Sequence, residues 1–347
     1  MIEPPNIPTW VQHLGTFLLV ASPSLALVVA YAVDKDARGF RPWLYGALAL
    51  ADIGAFVLGG LFMLTGLLTL QGLEAAPALG DGFTSAFLSL GTWTMGTAVV
   101  ALVLLLPPVR RVLARLIPID PTRVVHAVAL QLAALTVWVS GAIAIFMPVL
   151  MADPEGMAQI GEATAQAGLT GLWVQNAAFV VLSFLGVGAL VQRDWRATFE
   201  RLGLTQAVSF KWWIGGAALA LAVAVATDQL WTMLDPAGAA ELGKLSDQLF
   251  GPLIASGGIA AALTIGLAPG IGEELLFRGA AQPRFGLIAT SLLFAAVHTQ
   301  YTISWALVQI LIVGLILGTV RNRAGTRTAI LVHATFNAAQ VLLSLYG

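Results

Sequence analysis

Two adjacent carboxylates and an arginine stand together in a stretch that is otherwise apolar: Glu273, Glu274 and Arg278 in GIGEELLFRGAAQPR, residues 270–284. On a helix, Glu274 and Arg278 are i,i+4 and face each other, so they can form an ion pair. Glu273 lies one position round and faces elsewhere. In a medium of low dielectric a lone carboxylate is expensive unless it is paired or protonated. The division of labour that follows makes Glu274–Arg278 the structural pair and leaves Glu273 to hold a proton or a water. Phe277, i,i+4 from Glu273, can wall that side from solvent.

The chain has four histidines, and two of them follow this stretch. His298 closes the string LLFAAVHTQ, with Phe294 one turn before it. His333 lies in LVHATFNAAQ, with Asn337 one turn after it on the same helix face. A glutamate, two histidines and an asparagine fit a reaction in which water attacks a carbonyl. Glu273 would deprotonate the water, helped by His298, and later pass a proton to the leaving amine. His333 and Asn337 would stabilise the tetrahedral oxyanion. No serine or cysteine nucleophile is required, and cysteine is absent. Zinc is the rival arrangement, because a glutamate and two histidines make three ligands with water as the fourth. No HExxH occurs, yet spacing alone leaves a metal open; the expectation carried forward is hydrolysis without metal or cofactor.

These groups need a frame, and composition says what kind. Apolar residues make up 58% of the 347, charged residues only 10%, and mean hydropathy is +0.87. A soluble domain carries about 25% charged residues, so the natural solvent here is a bilayer. Its core requires spans of roughly 20 apolar residues with every backbone group satisfied internally. The runs do not alternate as barrel strands would. The fold class expected is therefore all-α and polytopic.

Ten apolar runs serve as candidate transmembrane helices: 10–33, 44–70, 84–106, 124–150, 169–191, 212–234, 250–267, 285–298, 303–320 and 328–345. The eighth is short. Helix eight rises only about 18 Å from Gly286 to His298, which suits a break or re-entrant turn in mid-membrane. The first nine residues hold no lysine or arginine and do not read as the start of a secretory signal, so the first run is expected to be a retained helix.

Loops alternate in charge. One set carries Lys35, Arg38 and Arg41, then Arg110, Arg111, Arg115 and Arg123, then Arg193, Arg196, Arg201 and Lys211, then Arg278 and Arg284, and finally Arg321, Arg323 and Arg327. The other set is acidic, with Glu74, Asp81, Asp153, Glu155, Glu162, Asp235, Glu241 and Asp247, and Lys244 as its one base. The positive-inside rule places the first set in the cytoplasm. Ten spans then put both termini outside, in a multi-pass protein of the cell's inner (plasma) membrane. No basic arm suggests nucleic acid.

Residues 192–211 read as an interfacial linker, with Trp195 and Phe199 toward lipid and arginines toward headgroups. It divides the chain into a five-helix membrane region, 1–191, without an obvious site, and a membrane domain, 212–347, that holds every candidate catalytic group. His126 reads as a headgroup contact at the edge of the fourth run.

Three motifs in order, EELLFR (273–278), Phe294 with His298, and His333 with Asn337, resemble those of the CPBP family. This CAAX-protease and bacteriocin-processing group of intramembrane, metal-independent glutamate proteases includes Rce1-type prenyl-protein endopeptidases and prokaryotic proteins called Abi. The resemblance covers roughly 212–347, with the Leu-Gly-Leu at 202–204 as a lead-in. It implies an Rce1-like helical core. It also implies that Glu273 and His298 activate water, that His333 and Asn337 hold the oxyanion, and that the cavity opens toward the cytoplasm. It implies a membrane-associated peptide or protein as substrate. Some relatives act without catalysis, so a membrane regulator or scaffold that binds a partner protein or peptide is the alternative.

Overall fold

The computed structural model describes residues 8–71 and 81–346. Glu74 lies outside the described residues, as do most of the first nine and the side chain of Asp81. Every regular element among the described residues is helical. In order they are α1 (Thr9–Ala21), α2 (Pro23–Lys35), α3 (Arg41–Leu70), α4 (Asp81–Leu104), α5 (Pro107–Leu113) and α6 (Val124–Ala152). Then come α7 (Pro154–Gly186), α8 (Trp195–Arg201), α9 (Phe210–Leu234), α10 (Pro236–Gly257) and α11 (Ile259–Glu273). A π-helical segment (Glu274–Ala281) leads into α12 (Gln282–Ala296), and α13 (Trp305–Tyr346) closes the chain.

Eight helical stretches among the described residues are long and apolar enough to cross a membrane, where the sequence offers ten apolar runs. The difference lies in the C-terminal third. The seventh run is cut at Gly258, where α10 ends and α11 begins. The eighth is the short outer limb of the stretch Ile259–Ala296, parted from the rest at Gly286, where φ is 77° and ψ is 175°. The ninth and tenth runs are the two limbs of α13, whose 42 residues would rise about 63 Å if straight, twice the roughly 30 Å of a hydrocarbon core. The limbs part at Gly325, where φ is 84° and ψ is 166°. Only a residue without a Cβ takes that conformation readily. Arg321, Arg323 and Arg327 surround the break, which is why the sequence reads as a basic loop there.

The chain forms two compact units. The first comprises Met1–Val28, Ala158–Pro283 and Ile312–Gly347; the second comprises Val29–Met157 and Arg284–Leu311. In the first unit, α11 and the last limb of α13 approach closely. A Cβ on Gly266 would meet the Ala334 carbonyl at 2.6 Å, and one on Gly270 would meet Ala334 Cβ at 3.1 Å. Small residues let membrane helices approach in this way where no water drives them together. Buried Val187, Leu202 and Leu275, with Phe184, Ile271 and Ile330 packed on them, enclose the root of the π segment.

In the second unit α3 and α4 touch backbone to backbone, since a Cβ on Gly91 would lie 2.7 Å from Met63 N. Trp93 Nε1 donates to the Trp138 carbonyl at 3.0 Å, and Trp138 Nε1 to Thr94 Oγ1 at 2.9 Å, joining α4 to α6. The loop before α6 is fixed by Asp120. Its carboxylate accepts from Thr122 N and Oγ1 at 2.9 and 2.6 Å, which holds its pKa below the usual range. Here His126 departs from its expected role. It is buried, and its Nδ1 accepts from the Asp120 N–H at 2.8 Å, so it caps the loop instead of meeting headgroups.

The linker departs too. Its helical residues are 195–201 and the first two of α9, because Gly203 (φ 72°) ends α8 in a turn with Gly203 N on Glu200 O and Leu204 N on Phe199 O. That pair of bonds is a Schellman stop. Thr326 Oγ1 donates to Leu202 O at 2.6 Å, so the turn also docks the start of the last α13 limb.

Candidate active site

Glu274 sits at the junction where α11 becomes the π segment, and its side chain is wholly buried. Oε2 is 3.3 Å from Arg278 Nε, an ion pair whose two partners are both inaccessible to solvent. Oε1 is 3.0 Å from Nδ1 of His333, itself buried. With Arg278 on its other oxygen, Glu274 serves as the acceptor and His333 donates from Nδ1. That bond fixes the orientation of the imidazole ring. Glu274 thus reaches two partners, Arg278 on its own element and His333 on α13, 59 residues away. The sequence pairs it with Arg278 alone.

The wider turn of a π helix recurs at functional sites, and here the surrounding chain holds it. Three successive carbonyls at its end take arginine donors. Arg321 Nε reaches Arg278 O at 3.0 Å, while Arg201 Nη1 and Nη2 reach Gly279 O and Ala280 O at 2.8 and 3.1 Å. Arg278 Nη2 donates in turn to Gly314 O at 3.3 Å. Gln282 Nε2 bonds Gly318 O and Asn322 Oδ1, both at 2.9 Å. By sequence Arg201 goes to headgroups and Arg321 to a cytoplasmic loop, because a count of charges per loop cannot see which carbonyls a π turn frees. Gln282 and Asn322 offered a signal, two amides bracketing an apolar limb, that went unused.

Glu273, the neighbour of Glu274, is partly buried at the end of α11. Phe277 is buried. Asn337, one turn beyond His333, donates through Nδ2 to Ile265 O at 3.2 Å, on α11 two turns before Glu273. One side chain near this corner was missed altogether. Asn176 of α7 is 4% exposed and donates to Leu172 O at 2.9 Å, and its Oδ1 is buried without a hydrogen-bond donor among the described residues. It packs on Gly272, where a Cβ would lie 2.7 Å from Asn176 Cβ and 2.8 Å from its carbonyl oxygen.

His298 and Phe294 belong to the second unit. α12 bends at Gly286 (φ 77°) and ends at Ala296, so its outer limb rises about 15 Å, half a hydrocarbon core. His298 follows at once, with Nδ1 2.7 Å from Phe294 O and its ring 4.9 Å from the Phe294 ring. The turn after it is pinned by Thr299 Oγ1 on Ser140 O at 2.7 Å.

Among the described residues, no three histidine, aspartate or glutamate side chains are grouped to hold a metal ion. A cleft of about 920 Å³ in the second unit is walled by apolar side chains such as Val100, Leu130 and Val137. The hydroxyls of Thr92 and Thr97 in it are spent on their own helix.

No curated protein and no solved structure matches the chain. The family described as type II CAAX prenyl endopeptidase Rce1-like matches residues 255–339, the interval that holds all three motifs and the whole Glu274–Arg278–His333 cluster. Over that interval the chain is similar to the Rce1-like family, the group its three motifs resemble.

Proposed function

We propose that the chain is an intramembrane endopeptidase that hydrolyses a peptide bond of a membrane-associated peptide or protein, without a metal. The reading rests on one observation above the rest, a wholly buried Glu274 that holds both Arg278 and His333 beside Glu273, inside the Rce1-like segment. In this scheme Glu273 takes a proton from water as the water oxygen bonds to the carbonyl carbon. His333, as the imidazolium, donates Nδ1–H to Glu274 and Nε2–H to the oxyanion. Asn337 has a second amide N–H for the same oxygen, since one is used on Ile265. When the C–N bond breaks, Glu273 passes its proton to the departing amine.

Glu274 and Arg278 are positioning residues in this reading. Their buried pair orients His333 and keeps the second carboxylate out of the chemistry. The basic helix ends are assigned to the cytoplasm, toward which the site opens.

The test is to compare the new protein termini that arise in membranes with and without the expressed chain, in the presence and absence of a chelator. A defined set of new termini, unchanged by chelation, is expected. Absence of any new terminus would favour a partner-binding membrane protein on the same frame. Loss on chelation that zinc restores would overturn the metal-free mechanism.

A further inference from the structure

Three guanidinium groups and the Asp34 carboxylate gather at the basic helix ends of the second unit. Asp34, its side chain 4% exposed, is fully committed: it accepts from Arg41 Nη2 at 3.0 Å and from the backbone N–H groups of Val124 and Val125 at 3.0 and 3.2 Å, and it forms an ion pair with Arg123 Nε at 3.5 Å. Arg110 of α5 has no carboxylate partner among the described residues and hydrogen-bonds instead to Tyr45. It is 4% exposed, and its guanidinium carbon lies 4.8 Å from the centroid of the Tyr45 ring. Its Nε and Nη1 are shut off from solvent with no hydrogen-bond acceptor among the described residues. Arg41, one turn before Tyr45 on α3, has its Nε in the same state. Tyr45 feels both cations and Asp34 together, which places the four side chains in one neighbourhood.

Three buried nitrogens on two guanidiniums therefore lack acceptors, in a cluster where Arg41, Arg110 and Arg123 outnumber the carboxylates of Asp34 and, beside Arg123, Asp120. Burying a cation without completing its hydrogen bonds is unfavourable. The group that would complete it is an anion with several acceptor oxygens, the partner that guanidinium geometry suits best. Exposed apolar side chains flank the cluster at Phe40, Leu106 and Val112, which puts it at the level where apolar spans end and headgroups begin. Basic pockets between spanning helices take phosphorylated headgroups at that level.

We propose that Arg110, Arg41 and Tyr45 form a binding site for a phosphate ester or phosphate anion, independent of the proposed peptidase. The same oxygens can come from a phospholipid headgroup or from free phosphate. The occupant would link α5 to α3 and neutralise part of the surplus charge.

The experiment uses the full chain in detergent and counts retained phosphatidylglycerol by native mass spectrometry, with diacylglycerol of the same acyl chains as the phosphate-free control. Retention of phosphatidylglycerol alone is expected. Arg110→Gln should weaken it about tenfold, the size of one charge-assisted contact at 1.4 kcal/mol per tenfold. Arg111→Gln, the exposed neighbour, should leave it unchanged. Should Arg110→Gln not fold, Arg41→Gln supplies the same reading. Displacement by inorganic phosphate would support the site and name a soluble source; retention against it would support the site and name the lipid. Equal retention of both lipids overturns the proposal. So does wild-type binding by Arg110→Gln or Arg41→Gln, or equal weakening by Arg111→Gln, which would mark a diffuse surface effect.

Discussion

At the scale of single residues, Glu273 and Glu274 are neighbours with opposite fates. Glu274 has no exposure and two ionic or hydrogen-bonding partners. Replacing it with glutamine leaves Arg278 buried and uncompensated, and removing one partner of a buried pair costs about 3–5 kcal/mol. Glu274→Gln is expected to lower the thermal unfolding midpoint sharply, read on the purified chain in detergent. The i,i+4 spacing made the Arg278 contact legible in the sequence. The His333 contact was not, because nothing in a linear pattern says which ring nitrogen meets a carboxylate 59 positions earlier. Asn176 was illegible for a related reason: one amide in an apolar run looks like any other until Gly272 is seen against it.

At the scale of elements, the site depends on two arrangements, a close helix pair and a held π segment. Gly270→Leu would drive a branched side chain into Ala334 and Ile330 O, both within 3.2 Å of a Cβ at that position. It should move the last α13 limb away from α11 and separate His333 from Glu274. Overpacking of this kind costs about 1–3 kcal/mol, and activity should fall further than stability, a split that paired rate and unfolding measurements would reveal. Arg201→Gln leaves the carbonyls of Gly279 and Ala280 without their donors. Hydrogen bonds to charged groups contribute about 1.5–3 kcal/mol each, so a clear loss of stability is expected from a residue that sits in a linker by sequence. The π geometry has no compositional signature, which is why EELLFR reads as an ordinary helical turn until its carbonyls are traced. The breaks at Gly286 and Gly325 were half visible, as short runs and basic gaps, but their glycines do not differ from the many others in the chain.

At the scale of the molecule, hydropathy marked the membrane frame and charge alternation marked its loops, while the number of spans could not be counted from runs alone. A run can be a tail or a limb, and only backbone conformation at Gly258, Gly286 and Gly325 separates the cases. Orientation is checkable because the chain lacks cysteine. Single cysteines at Arg115 and Arg323 should react with an impermeant thiol reagent only after cells are opened, whereas one at Glu241 should react in intact cells. The reverse pattern would turn the proposed site toward the outside.

The most direct measurement is the hydrolysis rate of Glu273→Gln against wild type on a substrate peptide in vesicles, with the unfolding midpoint recorded on the same samples. General-base catalysis contributes about 10²–10⁴-fold, so a loss of at least about 10²-fold with an unchanged midpoint is the expected result. Cleavage by Glu273→Gln at the wild-type rate would contradict the assignment of Glu273 as the base.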